Sequence, residues 1–273
     1  MEPRLDYQKV RDYWDRAAIS AAAASYMAHE QGLPQSCVDY RFRQERAVVE
    51  RWFAKLGRDA AVLDVGCGGG AWSALFARRF GSVTGIELSS GMIEAARQRL
   101  AGLDNLELLE GDALQVLPRR EFHGAFLGGL LMYVNRDDTI RLLRKIGERV
   151  PLGPIVLRES TVRQGVEVKT EDYHVVYRSP DEYRAIAAEA GLRVRAVERN
   201  IGYARMEVAV EVVNLLRRIP LLGRRGPAAI GRPVWRGLSL TAPVSLGLIP
   251  RSIEAMGISW PHLTNHFFLL STE

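Results

Sequence analysis

The sequence predicts a doubly wound α/β fold, in which a mostly parallel sheet carries helices between its strands. Short apolar runs alternate with amphipathic segments between residues 58 and 200, and a glycine-rich turn follows the first of these runs. Strands that alternate with helices favour parallel pairing through right-handed crossovers. The 47% apolar and 25% charged residues are typical of a globular protein, and 273 residues allow one large domain or two small ones.

Seven segments have the apolar or alternating pattern of strands. They are residues 60–65, 82–87, 106–110, 122–127, 154–157, 193–199 and 266–271. Helical periods separate most of them. The clearest helix start is at Ser179, a serine N-cap followed by Pro180, with Glu182 three residues on. The sequence therefore predicts a seven-stranded sheet with helical crossovers.

Three parts of the chain are expected. Residues 1–57 are predicted to form a helical N-terminal cap, because apolar residues recur at helical spacing before the glycine that ends this part. Residues 58–200 together with 265–273 form the core, and residues 201–264 form a substrate-side insertion before the last strand. This insertion could be a lid, an element at a lipid surface, or a surface that packs on the core or on a dimer partner.

The turn after the first strand contains the sharpest signal, Asp64-Val65-Gly66-Cys67-Gly68-Gly69-Gly70. Glycines let the backbone turn tightly and approach a ligand closely. Alone, the turn also fits the relaxed dinucleotide pattern G-x-G-x-x-G/A. Asp64 favours a different ligand, because a carboxylate at this position would repel a pyrophosphate and attract a cation.

Two further carboxylates follow the next two strands. Glu87 ends the second strand, 23 residues after Asp64, where it can accept both hydroxyls of a ribose. Asp112 follows the third strand, where it can accept a hydrogen bond from an adenine amino group. Because open α/β sheets bind ligands at the carboxyl ends of their strands, these residues predict a site for a positively charged nucleoside without phosphate.

Three segments resemble the first three motifs of the class I S-adenosylmethionine-dependent methyltransferase family: VLDVGCGGG, VTGIELS and LLEGDA. FHGAFLGGLLMYV resembles its fourth-strand motif, and HFFLLS its last strand. The resemblance covers roughly residues 58–200 and 265–273. It implies a Rossmann-like fold with an antiparallel last strand, S-adenosylmethionine as the cofactor and S-adenosylhomocysteine as the product.

The resemblance also implies which residues contact the cofactor. The glycine-rich turn would hold the methionine end, the second strand the ribose and the third the adenine. An N-terminal helix with an aromatic often closes the site in this family, and VRDYW resembles that helix. The implied cofactor residues are Tyr13, Asp64, Gly66, Cys67, Gly68, Glu87, Leu88, Met92, Gly111, Asp112, Ala113, Leu130 and Leu131.

The candidate catalytic residues are Tyr133, Glu159 and His174, which are expected after the fourth and fifth strands. Methyl transfer is an in-line displacement, for which alignment and exclusion of water can supply most of the catalysis. A general base is needed when the nucleophile must lose a proton. His174 could also be an ordinary polar loop residue, and Glu159 could pair with an arginine. The sequence indicates no metal site.

The charge of the chain is uneven. Its formal net charge is +5, and arginines concentrate between residues 191 and 251. That segment could contact an acidic substrate, an anionic membrane or nucleic acid, or it could be a solvated face. Nucleic acid is disfavoured, because no N/D-P-P-Y/F motif follows the fourth strand. A peripheral membrane contact through residues 205–225 and a homodimer both stay open.

The cellular setting predicted from the sequence is the cytoplasm. Two cysteines, Cys37 and Cys67, argue against a disulfide framework. The first residues lack the apolar region of a signal peptide, and no run of apolar residues is long enough to span a membrane.

The favoured function is methylation of an oxygen, nitrogen or carbon of a small, apolar or lipid-like molecule. Two alternatives stay open. One is an RNA or protein methyltransferase that uses the arginine-rich insertion. The other is a non-catalytic S-adenosylmethionine-binding domain or an NAD-dependent oxidoreductase.

Overall fold

The computed structural model of the 273-residue chain describes residues 4–18, 32–170, 174–220, 226–241 and 261–272. A mostly parallel sheet with helices between its strands forms the centre of the described part, so the predicted α/β fold class is confirmed.

The strands and helices are numbered in chain order. The strands are β1 (Ala61–Val65), β2 (Ser82–Glu87), β3 (Leu106–Glu110), β4 (Gly124–Gly128), β5 (Ile155–Thr161), β6 (Val166–Lys169), β7 (Val175–Arg178), β8 (Arg193–Arg199) and β9 (Thr264–Ser271). The helices are α1 (Tyr7–Ala18), α2 (Gln35–Trp52), α3 (Ala71–Ala77), α4 (Ser90–Leu100), α5 (Ala113–Val116), α6 (Arg136–Arg149), α7 (Pro180–Glu189), α8 (Ile201–Arg217) and α9 (Pro227–Leu240). A 3₁₀ turn, Leu131–Tyr133, follows β4.

The central strands are parallel and lie in the order β3-β2-β1-β4-β5. Asp64 is in register with Gly85, and Glu87 with Glu110. The order reverses between β1 and β4, since the chain first builds outward from β1 and then returns to its other side. The carboxyl ends of strands beside such a reversal form the usual ligand crevice of doubly wound sheets.

The far side of the sheet differs from the prediction. Within the described residues the sheet has nine strands instead of seven, because β6 and β7 form an antiparallel pair where substrate-side loops were expected. β7 joins β5 through Thr161 and Arg178, and β9 pairs with both β5 and β8. β5 also extends to Thr161, beyond its predicted end at residue 157. Its last three residues, Glu159, Ser160 and Thr161, are polar but buried. Polar residues in a buried strand conceal the apolar pattern from which strands are predicted.

Helix starts follow the local signals closely. The Ser179 hydroxyl accepts a hydrogen bond from the N–H of Glu182 at 3.3 Å, which confirms the predicted N-cap. Ser89 caps α4 in the same way, through the N–H of Met92 at 3.2 Å. For α6 the N-cap residue is Asn135.

Contacts divide the chain into two units. The first consists of residues 1–24, 49–198 and 266–273, and the second of residues 25–48 and 199–265. The sheet belongs mainly to the first unit. The boundaries expected from the sequence stay predictions; in the structural division, the described residues 32–48 group with the insertion.

The second unit has its own apolar core. α8 and α9 pack together, and residues of α2 complete the cluster. Its buried members are Leu33, Cys37, Val38, Tyr203, Met206, Ala209, Val210, Val213, Ile230 and Trp235. Residues 221–225 and 242–260 of the predicted insertion lie outside the described residues. In the described ranges, no helix combines the length and apolar character needed to cross a membrane.

Gly153, just before β5, packs against the backbone just before β4. A Cβ atom at this position would lie 2.0 Å from the carbonyl oxygen of His123, which is backbone and cannot rotate away. We expect Gly153→Ala to lower the free energy of unfolding by roughly 1–3 kcal/mol, as overpacking does. The midpoint of urea denaturation measures this effect.

Gly102→Ala is the matched control, because a Cβ atom there would meet nothing within 4 Å. Its unfolding midpoint should stay close to that of the parent protein. Equal midpoints for the two variants would contradict the packing described at the start of β4 and β5.

Candidate cofactor site

Carboxylates from neighbouring strands meet at one edge of the sheet. Asp64 lies in β1, Glu87 ends β2 and Asp112 stands two residues after β3. The carbonyl of Glu87 accepts the N–H of Gly111 at 2.8 Å, which ties the end of β2 to the turn that carries Asp112. The structure thus brings together the strand ends whose acidic residues were predicted to form one site.

The Asp64 carboxyl is buried, with an exposed fraction of 1%. Its Oδ2 accepts a hydrogen bond from the Ser73 hydroxyl of α3 at 2.6 Å. The pKa of Asp64 is raised to about 7, mainly by burial and also by the nearby Glu87 carboxylate, while the Ser73 hydrogen bond acts against this rise. A cation near this carboxyl would favour its ionised form.

The glycine-rich turn leaves room beside these carboxylates. Gly66 and Gly68 both have positive φ, 72° and 53°, which a residue with a side chain rarely adopts. A Cβ atom at Gly66 would lie 3.0 to 3.3 Å from the Leu130 side chain, so this residue packs directly on the turn. At Gly68 a Cβ atom would meet nothing within 4 Å, so a ligand can approach the backbone there. Burial raises the pKa of the Cys67 thiol well above its usual value.

Glu87 links the turn to the start of α4. Its Oε2 accepts the N–H of Gly68 at 2.8 Å, and its Oε1 accepts the N–H of Ser89 at 2.9 Å. Burial raises the pKa of Glu87, although these N–H donors act in the opposite direction. Leu88 lies half-buried next to it, and Met92 is buried in the first turn of α4.

Asp112 is the N-cap residue of α5. Its Oδ1 accepts the N–H of Leu114 at 2.9 Å and caps the short helix α5, which begins at Ala113. Its Oδ2 lies 3.4 Å from the side-chain amide of Gln115. The contact with adenine expected from Asp112 stays a prediction, and one of its oxygens is already engaged.

Helix α1 joins the loops after β2 and β4. Its Asp15 carboxylate accepts the Ser89 hydroxyl at 2.5 Å. Its Trp14 ring packs edge-on against Tyr133, with ring centroids 5.4 Å apart, and Tyr13 contacts Trp14 at 5.3 Å. An aromatic helix therefore lies beside the candidate site, although any contact of Tyr13 with a cofactor stays a prediction.

The segment around the start of α1 is fixed to the start of α6. The Tyr7 hydroxyl donates to Asp138 at 2.6 Å and accepts the N–H of Asn135 at 3.0 Å. The N–H of Leu5 donates to the Asn135 side chain at 2.7 Å. Burial and the Asp138 carboxylate raise the pKa of Tyr7.

Two fully buried charged side chains hold the loop after β4. Oε1 of Glu159 accepts the N–H groups of Leu130 and Leu131 at 3.2 and 3.1 Å. The Arg178 guanidinium donates to the carbonyls of Leu131 and Val134 at 2.8 and 2.9 Å. Residues of β5 and β7 therefore position Leu130 and Leu131, which were predicted to contact the cofactor.

The three catalytic candidates occupy different places. Glu159 lies within β5, not after it; burial raises its pKa to about 7, and its Oε2 accepts no hydrogen bond from the described residues. Tyr133 ends the 3₁₀ turn beside Trp14. His174 was expected in a loop, but it is 7% exposed and directly precedes β7. Their catalytic roles stay predictions.

The hydrogen bonds of His174 restrict its chemistry. Its Nδ1 accepts the N–H of Asp6 at 3.4 Å, so a neutral imidazole carries its proton on Nε2. Nε2 is buried and has no hydrogen-bond partner in the described part of the chain.

Several residues of the site carried no signal in the sequence. Ser73 and Asp15 look like ordinary helix residues, and Arg178 is one of many arginines. Ser73 contacts Asp64, nine positions before it, and Asp15 contacts Ser89, 74 positions after it. Arg178 contacts the backbone of residues about 45 positions before it. Only the apolar run Val175-Val176-Tyr177 before it could have indicated that Arg178 ends a buried strand.

Comparison with known proteins finds methyltransferases among the proteins that the chain is similar to. A family model described as a methyltransferase domain matches residues 62–150. The chain is 40% identical over 122 residues to a probable cobalt-precorrin-6B C(15)-methyltransferase from Methanocaldococcus jannaschii, over 44% of this chain and 65% of that one. It is 32% identical over 80 residues to a demethylmenaquinone methyltransferase from Staphylococcus aureus, over 28% of this chain and 33% of that one.

A solved structure extends the likeness in fold. The geranyl diphosphate C-methyltransferase from Streptomyces coelicolor superposes with a TM-score of 0.60, at 16% identity and with full coverage of both chains. At this identity the likeness concerns the fold alone. The family model covers β1 to α6, which are the elements that build the carboxylate edge and the glycine-rich turn. Residues 62–150 are thus similar to a methyltransferase domain, and the chain shares the fold of the Streptomyces coelicolor enzyme.

Proposed function

We propose that this protein transfers a methyl group from S-adenosylmethionine to a small molecule. One observation carries the proposal: two carboxyls, the buried Asp64 and the half-buried Glu87, lie beside the open backbone of Gly68. A phosphate-bearing dinucleotide would be repelled by this arrangement, whereas a cationic nucleoside would be attracted.

The residues present fit S-adenosylmethionine. Asp64 and the Gly66–Gly68 backbone would hold the methionine end, with its ammonium near the carboxyls. Glu87 would accept the ribose hydroxyls through the lone pairs that Gly68 and Ser89 leave unused. Asp112, Ala113, Leu88 and Met92 would surround the adenine.

The chemistry supplied by the cofactor is an activated methyl group on a sulfonium. The chain contributes position and a dry environment, because charge disperses as the methyl group moves and water would compete with the acceptor. The buried Leu131 and Met132 and the aromatic contact between Trp14 and Tyr133 exclude water beside the loop after β4. Alignment by this loop is then the main catalytic contribution of the protein.

We further propose that the methyl acceptor is a small molecule. The curated relatives are named for the methylation of a cobalt-precorrin and of a demethylmenaquinone, and a structure with the same fold is named for geranyl diphosphate. All three are small molecules. The chain spans only 65% and 33% of the two curated relatives, so the acceptor itself and the atom methylated are not transferred from them.

Removal of the Glu87 carboxylate should weaken cofactor binding. We expect Glu87→Ala to reduce the affinity for S-adenosylhomocysteine by at least about tenfold, because both the ribose acceptor and the anchor of Gly68 are lost. Glu110→Ala is the matched control: Glu110 is the register partner of Glu87 on β3, and it is exposed at 45% in an ion pair with Arg97. Calorimetric titration that finds the same loss in both variants would place the site elsewhere.

Cofactor affinity should depend on pH through Asp64. With a pKa of about 7 in the free protein, this carboxyl is mostly protonated below pH 7, and a bound cation favours its ionised form. Binding must then release a proton, so affinity falls as pH drops below 7, by up to about tenfold per pH unit.

Titrations of S-adenosylmethionine at pH 5.5, 6.5 and 7.5, each in two buffers of different ionisation enthalpy, measure the affinity and the released proton. In Asp64→Asn the pH dependence should become shallower. A slope that does not change in this variant would remove Asp64 as the titrating group.

Two variants of Glu159 separate positioning from proton transfer. Glu159→Gln keeps an oxygen that can accept the N–H groups of Leu130 and Leu131, whereas Glu159→Ala keeps none. We propose that Glu159 is a positioning residue. Affinity for S-adenosylhomocysteine should therefore fall about tenfold in Glu159→Ala and stay near that of the parent protein in Glu159→Gln. An equal loss in the two variants would show that the ionised carboxylate itself is needed.

A further inference from the structure

The second unit contains a buried arginine held between aromatic rings. Arg205 of α8 is 7% exposed. Its guanidinium carbon lies 4.5 Å from the ring centroid of Tyr40 in α2 and 4.6 Å from that of Trp235 in α9. The two rings contact each other, with centroids 5.8 Å apart and planes at 63°. Three helices therefore fix the position of one guanidinium.

The hydrogen-bond donors of Arg205 are not used. Its Nε is buried without an acceptor, and no acceptor in the described part of the chain is assigned to its other nitrogens. A guanidinium that is largely buried without a hydrogen-bonded anion is costly, and aromatic faces compensate only part of that cost. An anion that accepted these donors would lower that cost.

The carboxylates nearby do not supply that anion. Glu45 of α2 pairs with Arg41 at 3.5 Å and accepts the Asn200 side chain at 2.8 Å. Glu207 is two residues beyond Arg205 on α8, and helix residues at this spacing face different sides. The positive charges of Arg41 and Arg205 both act on the same thiol, that of Cys37.

We propose that Arg205, Tyr40 and Trp235 form a binding site for the phosphate, diphosphate or carboxylate group of a small molecule. The planar guanidinium presents its N–H groups in a fork that matches such an anion, and the rings hold its plane in place. Little side-chain freedom is then lost on binding, which favours affinity. The site lies in the second unit, and filling it does not require methyl transfer, so the inference goes beyond the function proposed above.

Direct binding of simple anions tests the proposal. Inorganic pyrophosphate, inorganic phosphate and acetate are titrated calorimetrically into the full chain, and the three probes distinguish phosphate from carboxylate recognition. We expect saturable binding of at least one probe, weakened by about tenfold or more in Arg205→Met, which keeps a long apolar side chain but no donors. Arg232→Met is the matched control, since Arg232 is exposed on the helix that carries Trp235.

The outcomes decide in either direction. Loss of binding in Arg205→Met with parent-like affinity in Arg232→Met supports the site. The proposal is overturned if the parent protein binds none of the three probes, or if both variants lose affinity equally. Should Arg205→Met fail to fold, Arg205→Lys keeps the charge without the fork; unchanged affinity in that variant would also overturn it. Cofactor titrations of the same variants show separately whether the methyltransferase site is intact.

Discussion

The candidate cofactor site depends on two carboxyls at adjacent strand ends, the buried Asp64 and the half-buried Glu87. Removing Asp64 and Glu87 from water raises the pKa of both, and each is stabilised by specific donors: the Ser73 hydroxyl for one, the N–H groups of Gly68 and Ser89 for the other. These donors also fix the glycine-rich turn and the start of α4. The same interactions therefore shape the crevice and give it an affinity for positive charge.

The loop after β4 shows a second use of buried charge. A carboxylate from β5 accepts its N–H groups, and a guanidinium from β7 donates to its carbonyls, so polar backbone is satisfied inside the protein. β6 and β7 are additions to the predicted sheet, and they place Arg178 where it can do this. Glu159, a catalytic candidate from the sequence, thus holds the backbone of this loop through hydrogen bonds.

The second unit combines an apolar core with polar side chains that are also buried. Asn200 donates to Glu45 and Asn265 at 2.8 and 2.9 Å and caps α8 through the N–H of Tyr203. Such a network fixes the start of the helix that carries Arg205. A rigid framework around one unsatisfied guanidinium is typical of a prepared binding site, and in this fold specificity elements are commonly added outside the cofactor core.

Local sequence patterns were sufficient to predict much of the fold and of the candidate cofactor site. The alternation of strands and helices, the glycine-rich turn and the three acids at strand ends defined the fold class, the family and the edge of the site, because each depends on residues close in sequence. The tertiary structure alone decided the β6–β7 pair, the grouping of residues 32–48 with the insertion, and the partners of Glu159 and His174. Polar residues in buried strands, and hydrogen bonds that join residues dozens or more than a hundred positions apart, leave no periodic trace in the sequence; they become defined only when the sheet is assembled.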